Sequence, residues 1–247
     1  FTHRCSYTKD YGGRVMSFSS GEIISYIAMC AEEQASLQRG MNFRLHPTHS
    51  VLLMSVRQGA PYRDEVAEDG KTLIYEGHNV PRSHEVPEPD LVDQELETSA
   101  GGLTQNGRFF QAAHSYRNEE QQPERVRVYD KVQTGIWVYS GLFQLVDAWA
   151  AVSGARTVYK FQLVLVDEGQ SHVNPAGTSP SPGRVIPSAV KREVWERDGG
   201  RCVQRGAEQN LHFDHIIPYS KGGSSLTKEN VQILCAQHNL EKGAEIT

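Results

Sequence analysis

Short apolar runs separated by turn residues dominate the first two thirds of the chain. Ser50–Arg57 (SVLLMSVR) and Thr72–Glu76 (TLIYE) predict strands on either side of the turn-rich stretch QGAPYRDEVAEDGK. Residues 125–129 (RVRVY) alternate strictly, which predicts a strand with one buried face. Gly135–Tyr139 and Leu142–Asp147 predict two strands flanking a Tyr-Ser-Gly turn, and Thr157–Val166 (TVYKFQLVLV) predicts a long one. Gly21–Leu37 has helical spacing, with Ile24, Ile27, Ala28 and Ala31 on one face. Val80–Gln105 reads as a long polar loop, and loops of that length are usually functional or disordered.

The pattern breaks at 168–187 (EGQSHVNPAGTSPSPGRVIP), which holds few large aliphatics among its prolines, glycines and serines and reads as a linker. It divides the chain into 1–167 and 188–247. The second part reads as helix, β-hairpin, helix. Ser188 is placed to cap Ala189–Asp198, Cys202 to Ile217 holds two short strands around a turn at Gly206–Asn210, and Thr227 caps a final segment, TKENVQILCAQHNLEKG. The fold class expected is α+β: a mostly-β domain, then a small mixed one.

Composition adds constraints. The 247 residues are 38% hydrophobic and 22% charged, which is ordinary globular usage. No apolar run approaches the ~18 residues of a membrane span, so no membrane association is expected. Phe1 to Asp10 holds no apolar signal core, and four scattered cysteines do not make a disulfide framework, so a reducing, cytoplasmic setting is expected. The net charge is −5, unevenly divided. From Arg184 onward there are nine Lys and Arg against eight Asp and Glu; before it there are 16 against 22. DNA binding is left open by this balance without being favoured by it.

The candidate chemistry lies near the C-terminus. Asp214-His215 stands at the end of an expected strand, followed by Asn230 and by His238-Asn239. A hard divalent cation takes oxygen ligands, which Asp214 and the amide oxygen of Asn239 supply. Neutral imidazole takes a proton from water near neutral pH, and Asn230 can hold His215 in one tautomer. Such a set hydrolyses a phosphodiester, with the metal stabilising charge on the phosphate and the leaving oxygen.

Phe213-Asp-His-Ile-Ile-Pro, Gly222-Gly223, Glu229-Asn-Val and Leu234-Cys-x2-His-Asn-x2-Lys-Gly together resemble the HNH (ββα-metal) nuclease domain over 195–243. The last catalytic position of that family is His or Asn; here it is Asn239. The resemblance implies His215 as general base, Asn230 as its positioner, and Asp214 and Asn239 as ligands of Mg²⁺ or Mn²⁺. Many members of the family also carry a structural zinc on two Cys-x2-Cys knuckles. Here the knuckles read Cys202-x2-Arg205 and Cys235-x2-His238. Two readings stand: zinc on Cys202, Cys235 and His238 plus another group, or a lost site with the cysteines as small buried residues. His212 is a further candidate ligand.

In the first part, Tyr62 and Tyr75 frame an acidic loop. Two aromatic faces can sandwich an extruded base, and a carboxylate can accept from the cytosine N4 amino group. Ala60-Pro-Tyr62-Arg-Asp64-Glu65-Val, Thr72-Leu-Ile-Tyr75-Glu-Gly-His, Asn106-Gly-Arg-Phe-Phe and Tyr139-Ser-Gly-Leu-Phe resemble the SRA (YDG) domain over about 45–166. That family has a curved, barrel-like sheet with flanking helices and flips a modified cytosine out of duplex DNA. The resemblance implies Tyr62 and Tyr75 as stacking residues and Asp64 or Glu65 as the reader of the base edge. The acidic character of loop 80–105 departs from a DNA-facing arm, and residues 1–44 are given no role.

An SRA-like part joined to an HNH part resembles bacterial modification-dependent (McrA-like, type IV) restriction endonucleases. The expectation is a nuclease acting on double-stranded DNA that carries 5-methylcytosine or 5-hydroxymethylcytosine. Because one HNH site cuts one strand, a homodimer is expected. The alternatives are a modified-DNA-binding protein with an inactive HNH, and an HNH nuclease that reads unmodified sequence.

Overall fold

In chain order the strands and helices of the computed structural model are β1 (Thr8–Lys9), β2 (Val15–Met16), β3 (Ile23–Ser25), α1 (Tyr26–Glu32), β4 (Met41–His46), β5 (His49–Met54), β6 (Glu65–Val66), β7 (Thr72–Glu76), α2 (Gln105–Arg117), β8 (Glu124–Gln133), β9 (Ile136–Ser153), β10 (Arg156–Leu165), α3 (Ser188–Asp198), β11 (Leu211–His215), β12 (Val231–Cys235) and α4 (Ala236–Lys242). The structure describes residues 8–9, 15–16, 18–54, 65–166, 184–218 and 221–243. Two compact units emerge, one drawn from 38–128 and 142–165, the other from 1–37, 129–141 and 166–247. The long strands β8 and β9 contribute residues to both.

In the first unit the sheet runs β4-β5-β8-β9-β10-β7-β6. β10 pairs antiparallel with β7, Phe161 opposite Tyr75. α2 packs on this sheet through Phe109, which is fully buried and meets Phe43 and Phe161 edge-on at 5.2 and 6.0 Å. The periodicity did not announce this helix, because its buried residues include Asn106 and Gly107 and its other face is polar. Thr104 caps it through its side-chain oxygen. Gly107 is required there: a Cβ would lie 2.0 Å from the Leu96 carbonyl oxygen. The polar loop before α2 has no regular structure but is strapped down. Gln94 accepts from Tyr159 N and donates to Gly77 O, at 2.8 and 2.6 Å, and Asp93 accepts from Thr157 N at 2.6 Å.

In the second unit β3 pairs with the start of β9, and β11 pairs with β12. Several sequence expectations change here or at its edges. The helix expected over Gly21–Leu37 is shorter: 23–25 form a strand, and Ser25 caps α1 by accepting from Ala28 N at 3.1 Å. The Tyr-Ser-Gly turn is absent, because β9 runs unbroken through it, with Gly141 at φ +121° absorbing the irregularity. Ser188 lies inside α3 rather than capping it, its hydroxyl taken by Asp130 at 2.7 Å. Val231–Cys235 is a strand buried on both faces, so it shows no helical period. Of the two strands expected between Cys202 and Ile217, one forms; Cys202–Arg205 is a turn. Val132, Val138, Ile186, Val190, Val194, Leu211, Phe213, Val231 and Ile233 form one apolar core with Cys202 and Cys235. Val185 and Ile186, at the end of the expected linker, are buried. No helix is long and apolar enough to cross a membrane.

Candidate functional site

Asp214 and His215 are the last two residues of β11, paired with Gln232 and Val231 of β12. The His215 ring meets Ser225 Oγ through Nε2 at 2.8 Å. Burial holds its pKa below the ordinary histidine value, against the pull of the Asp214 carboxylate and with the help of the Lys242 ammonium. The ring is therefore neutral near pH 7, the form that accepts a proton.

Asn230 does not touch that ring in this structure. Its side chain accepts from Ile217 N at 2.8 Å and donates to the carbonyls of Ile217 and Ser224 at 2.9 Å each. It closes the loop between β11 and β12 and so fixes the chain just before Ser225. The paired glycines serve the same closure. Gly222 has φ +86°, and a Cβ on Gly223 would lie 1.8 Å from the Ile217 carbonyl oxygen.

α4 supplies the opposite wall. Lys242, 5% exposed, ion-pairs with Asp214 at 2.8 Å and donates to the His215 carbonyl at 2.5 Å. Asn239 lies three residues earlier on the same helix, a spacing that puts it on the face that carries Lys242, and is half-buried. Carboxylate and amide oxygens are the donors a hard divalent cation takes, so Asp214 and Asn239 fit one. The sequence reading missed Ser225 and Lys242. Lys242 was legible from its spacing to Asn239; Ser225 carried no signal.

A second cluster sits at the N-terminus of α4. Cys202 Sγ and Cys235 Sγ lie 3.2 and 3.6 Å from His238 Nδ1, and the three ligand atoms fall within 4.8 Å of one another. Burial pushes the Cys202 thiol up, but His238 and the backbone N–H groups of Cys235, Arg205 and Gln204 outweigh it and bring it down to about 6. That is a thiolate environment, as metal ligation requires. Among the described residues no fourth ligand joins the cluster. Arg205 points to Gln237, bonding its Oε1 at 2.8 Å. His212 is buried on β11, apart from the cluster, with the charges of Glu22 and Asp214 acting on it.

The HNH endonuclease family matches residues 200–245. This segment is an HNH endonuclease domain. The HNH domain thus contains all four of the residues expected to perform hydrolysis and the three-ligand cluster. No curated protein matches the chain. Among solved structures, it is similar to the SRA domain of SUVH5 in a complex with fully methylated CG DNA, at 19% identity over 61% of this chain and 90% of that one, TM-score 0.42. It is also similar to SUVH5 SRA bound to fully hydroxymethylated CG DNA (17% identity, 64% and 96% covered, TM-score 0.44). A third is Arabidopsis thaliana SUVH6 in complex with SAM (18% identity, 64% and 28% covered, TM-score 0.37).

In the other unit, Tyr75 is 3% exposed on β7, its hydroxyl 3.2 Å from His78 Nε2. Tyr62 and Asp64 lie outside the described residues. Glu65 pairs with Ile74 across β6 and β7 and is exposed. Directly paired residues share a face and successive ones alternate, so Glu65 points to the face opposite Tyr75. His78 was missed by the sequence reading. Loop 80–105 encloses an open cavity of about 570 Å³ lined by Val80, Val86, Val92, Asp93, Glu95 and Glu97, among others.

Proposed function

We propose that this protein is a modification-dependent endodeoxyribonuclease: residues 1–167 read a modified cytosine in double-stranded DNA, and residues 188–247 cut the backbone. The observation that carries the nuclease half is the end of β11, where Lys242 of α4 bonds both the Asp214 carboxylate and the His215 carbonyl beside a connecting loop that Asn230 closes. His215 takes the proton of the attacking water. Where Nε2–H donates to Ser225 Oγ, Nδ1 is the nitrogen left to do so. Asp214 and Asn239 hold Mg²⁺ or Mn²⁺, which supplies charge stabilisation at the phosphate and the leaving oxygen. Lys242 ties Asp214 to the strand end and so orients it. Cys202, Cys235 and His238 would hold a structural zinc, with a fourth ligand from outside this cluster.

The reading half rests on Tyr62, Asp64 and Tyr75, with the base flipped and stacked between the tyrosines. The β6–β7 register supports Asp64 over Glu65 as the acid that accepts from the N4 amino group. Each HNH site cuts one strand, so double-strand breaks come from a homodimer.

The test is a cleavage and binding assay with divalent metal on duplexes carrying cytosine, 5-methylcytosine or 5-hydroxymethylcytosine. The expected result is cutting of a modified duplex alone, with His215→Ala binding that duplex like wild type but leaving it intact. Equal cutting of all duplexes would sink the reader, and an active His215→Ala would sink the base.

A further inference from the structure

The nuclease strand β11 is not free on its second edge. Glu22 and His212 form an antiparallel bridge, and Phe213 N donates to Gly21 O at 3.0 Å. The same two residues bond the start of β9: Gly21 N donates to Tyr139 O at 2.8 Å, and Tyr139 N to Glu22 O at 3.0 Å. Residues 21–25 therefore join β11 to β9 through backbone alone. Gly21 has φ +85° and no room for a Cβ, which would lie 3.0 Å from Phe213 O.

A second attachment is polar and buried. Asp130 on β8 receives the Lys191 ammonium from α3, together with the hydroxyls of Ser188 and Ser140, and Lys191 also donates to Ser140 Oγ at 2.8 Å. All four are nine-tenths or more buried. A buried ion pair tolerates separation badly, since each charge left alone keeps its desolvation cost. The third attachment is the core itself, in which Val132 and Val138 pack with Ile186, Val190, Val194 and Phe213.

We propose that these attachments, and not the 168–187 segment, hold the nuclease domain, so that its cutting is independent of that segment's length, with Asp130 and Lys191 as positioning residues. This rests on the reading of the chain as a modification-directed nuclease. A nuclease on a free tether of about 20 residues would range over roughly 25 Å and scatter its cuts over several base pairs. A nuclease held to residues 21–25, 129–133 and 136–141 by backbone, ion pair and core does not range with the length of a tether.

The experiment lengthens the segment in the full chain by about 5 and about 15 Gly/Ser residues within 168–183 and maps cut positions on a singly modified duplex. The expected result is an unchanged cut position. Cuts that spread or move outward with insert length would overturn the proposal. In parallel, a protease site placed in the same segment is cleaved without DNA present. The C-terminal fragment is expected to co-elute with the remainder, and its release would overturn the docking. Asp130→Ala should make cut positions depend on insert length, an effect that lowered stability alone would not produce. A fixed position in that variant removes Asp130 from the role, and if it does not fold, the insertions and the severed chain still decide. If wild type cuts no modified duplex, the nuclease reading fails, and co-elution still judges the docking on its own.

Discussion

His78 shows how much chemistry one side chain carries without advertising it. Its backbone N and O are both held by the Asn106 side chain at 2.8 Å, and its ring bonds the Tyr75 hydroxyl. Burial, and then the nearby Arg39 charge, press its pKa from 6.5 to about 4. The sign follows directly. The unfolded chain takes up the proton at higher pH than the folded one, so the stability due to neutral His78 is complete above pH 6.5. It is lost as pH falls from 6.5 to about 4, by roughly 3 kcal/mol in all. His78→Gln keeps a hydrogen-bonding side chain but does not titrate, so its stability should fall less over that window. Urea midpoints at pH 7 and pH 4.5 for both proteins make the comparison, and parallel losses would show that His78 is not held neutral. His215 is governed by the same physics at the nuclease site, where burial keeps the ring in its basic form.

At the scale of elements, the knuckle at Cys202 and the N-terminus of α4 are built like half of a zinc site each, with Arg205 where a fourth ligand would stand. Backbone N–H groups of Cys235, Arg205 and Gln204 hydrogen-bond Cys202 Sγ and, with His238, bring its thiol down against burial. Wild type should carry stoichiometric zinc, and Arg205→Cys should hold it against a chelator and melt higher. Metal analysis and thermal melts of both settle it, and zinc in neither would show that the cluster is only packing. How far such elements were legible varied with their physics. β7 was read with its bounds, because TLIYE has one buried face and turn residues on both sides. β12 was taken into a helical segment, because five buried residues in a row carry no period. The Tyr-Ser-Gly turn was an error of local chemistry. Ser140 is committed to Asp130, a partner ten residues away whose use no local pattern shows. At the site, motif spacing gave Asp214, His215, Asn230 and Asn239, whereas the actual partners of Asn230 and His215 depend on how the loop closes.

For the whole molecule, the decisive quantity is charge. Phosphate contacts ordinarily dominate DNA affinity, yet this chain carries −5, and its long loop presents Glu85, Glu88, Asp90, Asp93, Glu95 and Glu97. Those loop carboxylates repel phosphate. The proposed reader would then draw its selectivity from a pocket that acts on one base rather than from a broad basic groove. Counterion release then limits how steeply salt can act. With about three phosphate contacts, affinity for a modified duplex should fall by about tenfold to a hundredfold between 50 and 200 mM salt, where six or more contacts would cost a thousandfold or more. Binding to unmodified duplex should be weak throughout, because the electrostatic contribution is all it has. The measurement is a salt titration of Kd for matched modified and unmodified duplexes. A slope as steep as that of a basic DNA-binding protein, the same for both duplexes, would mean that an extended phosphate-binding surface carries recognition. The proposed stacking of a base on Tyr62 and Tyr75 would then have no part in it.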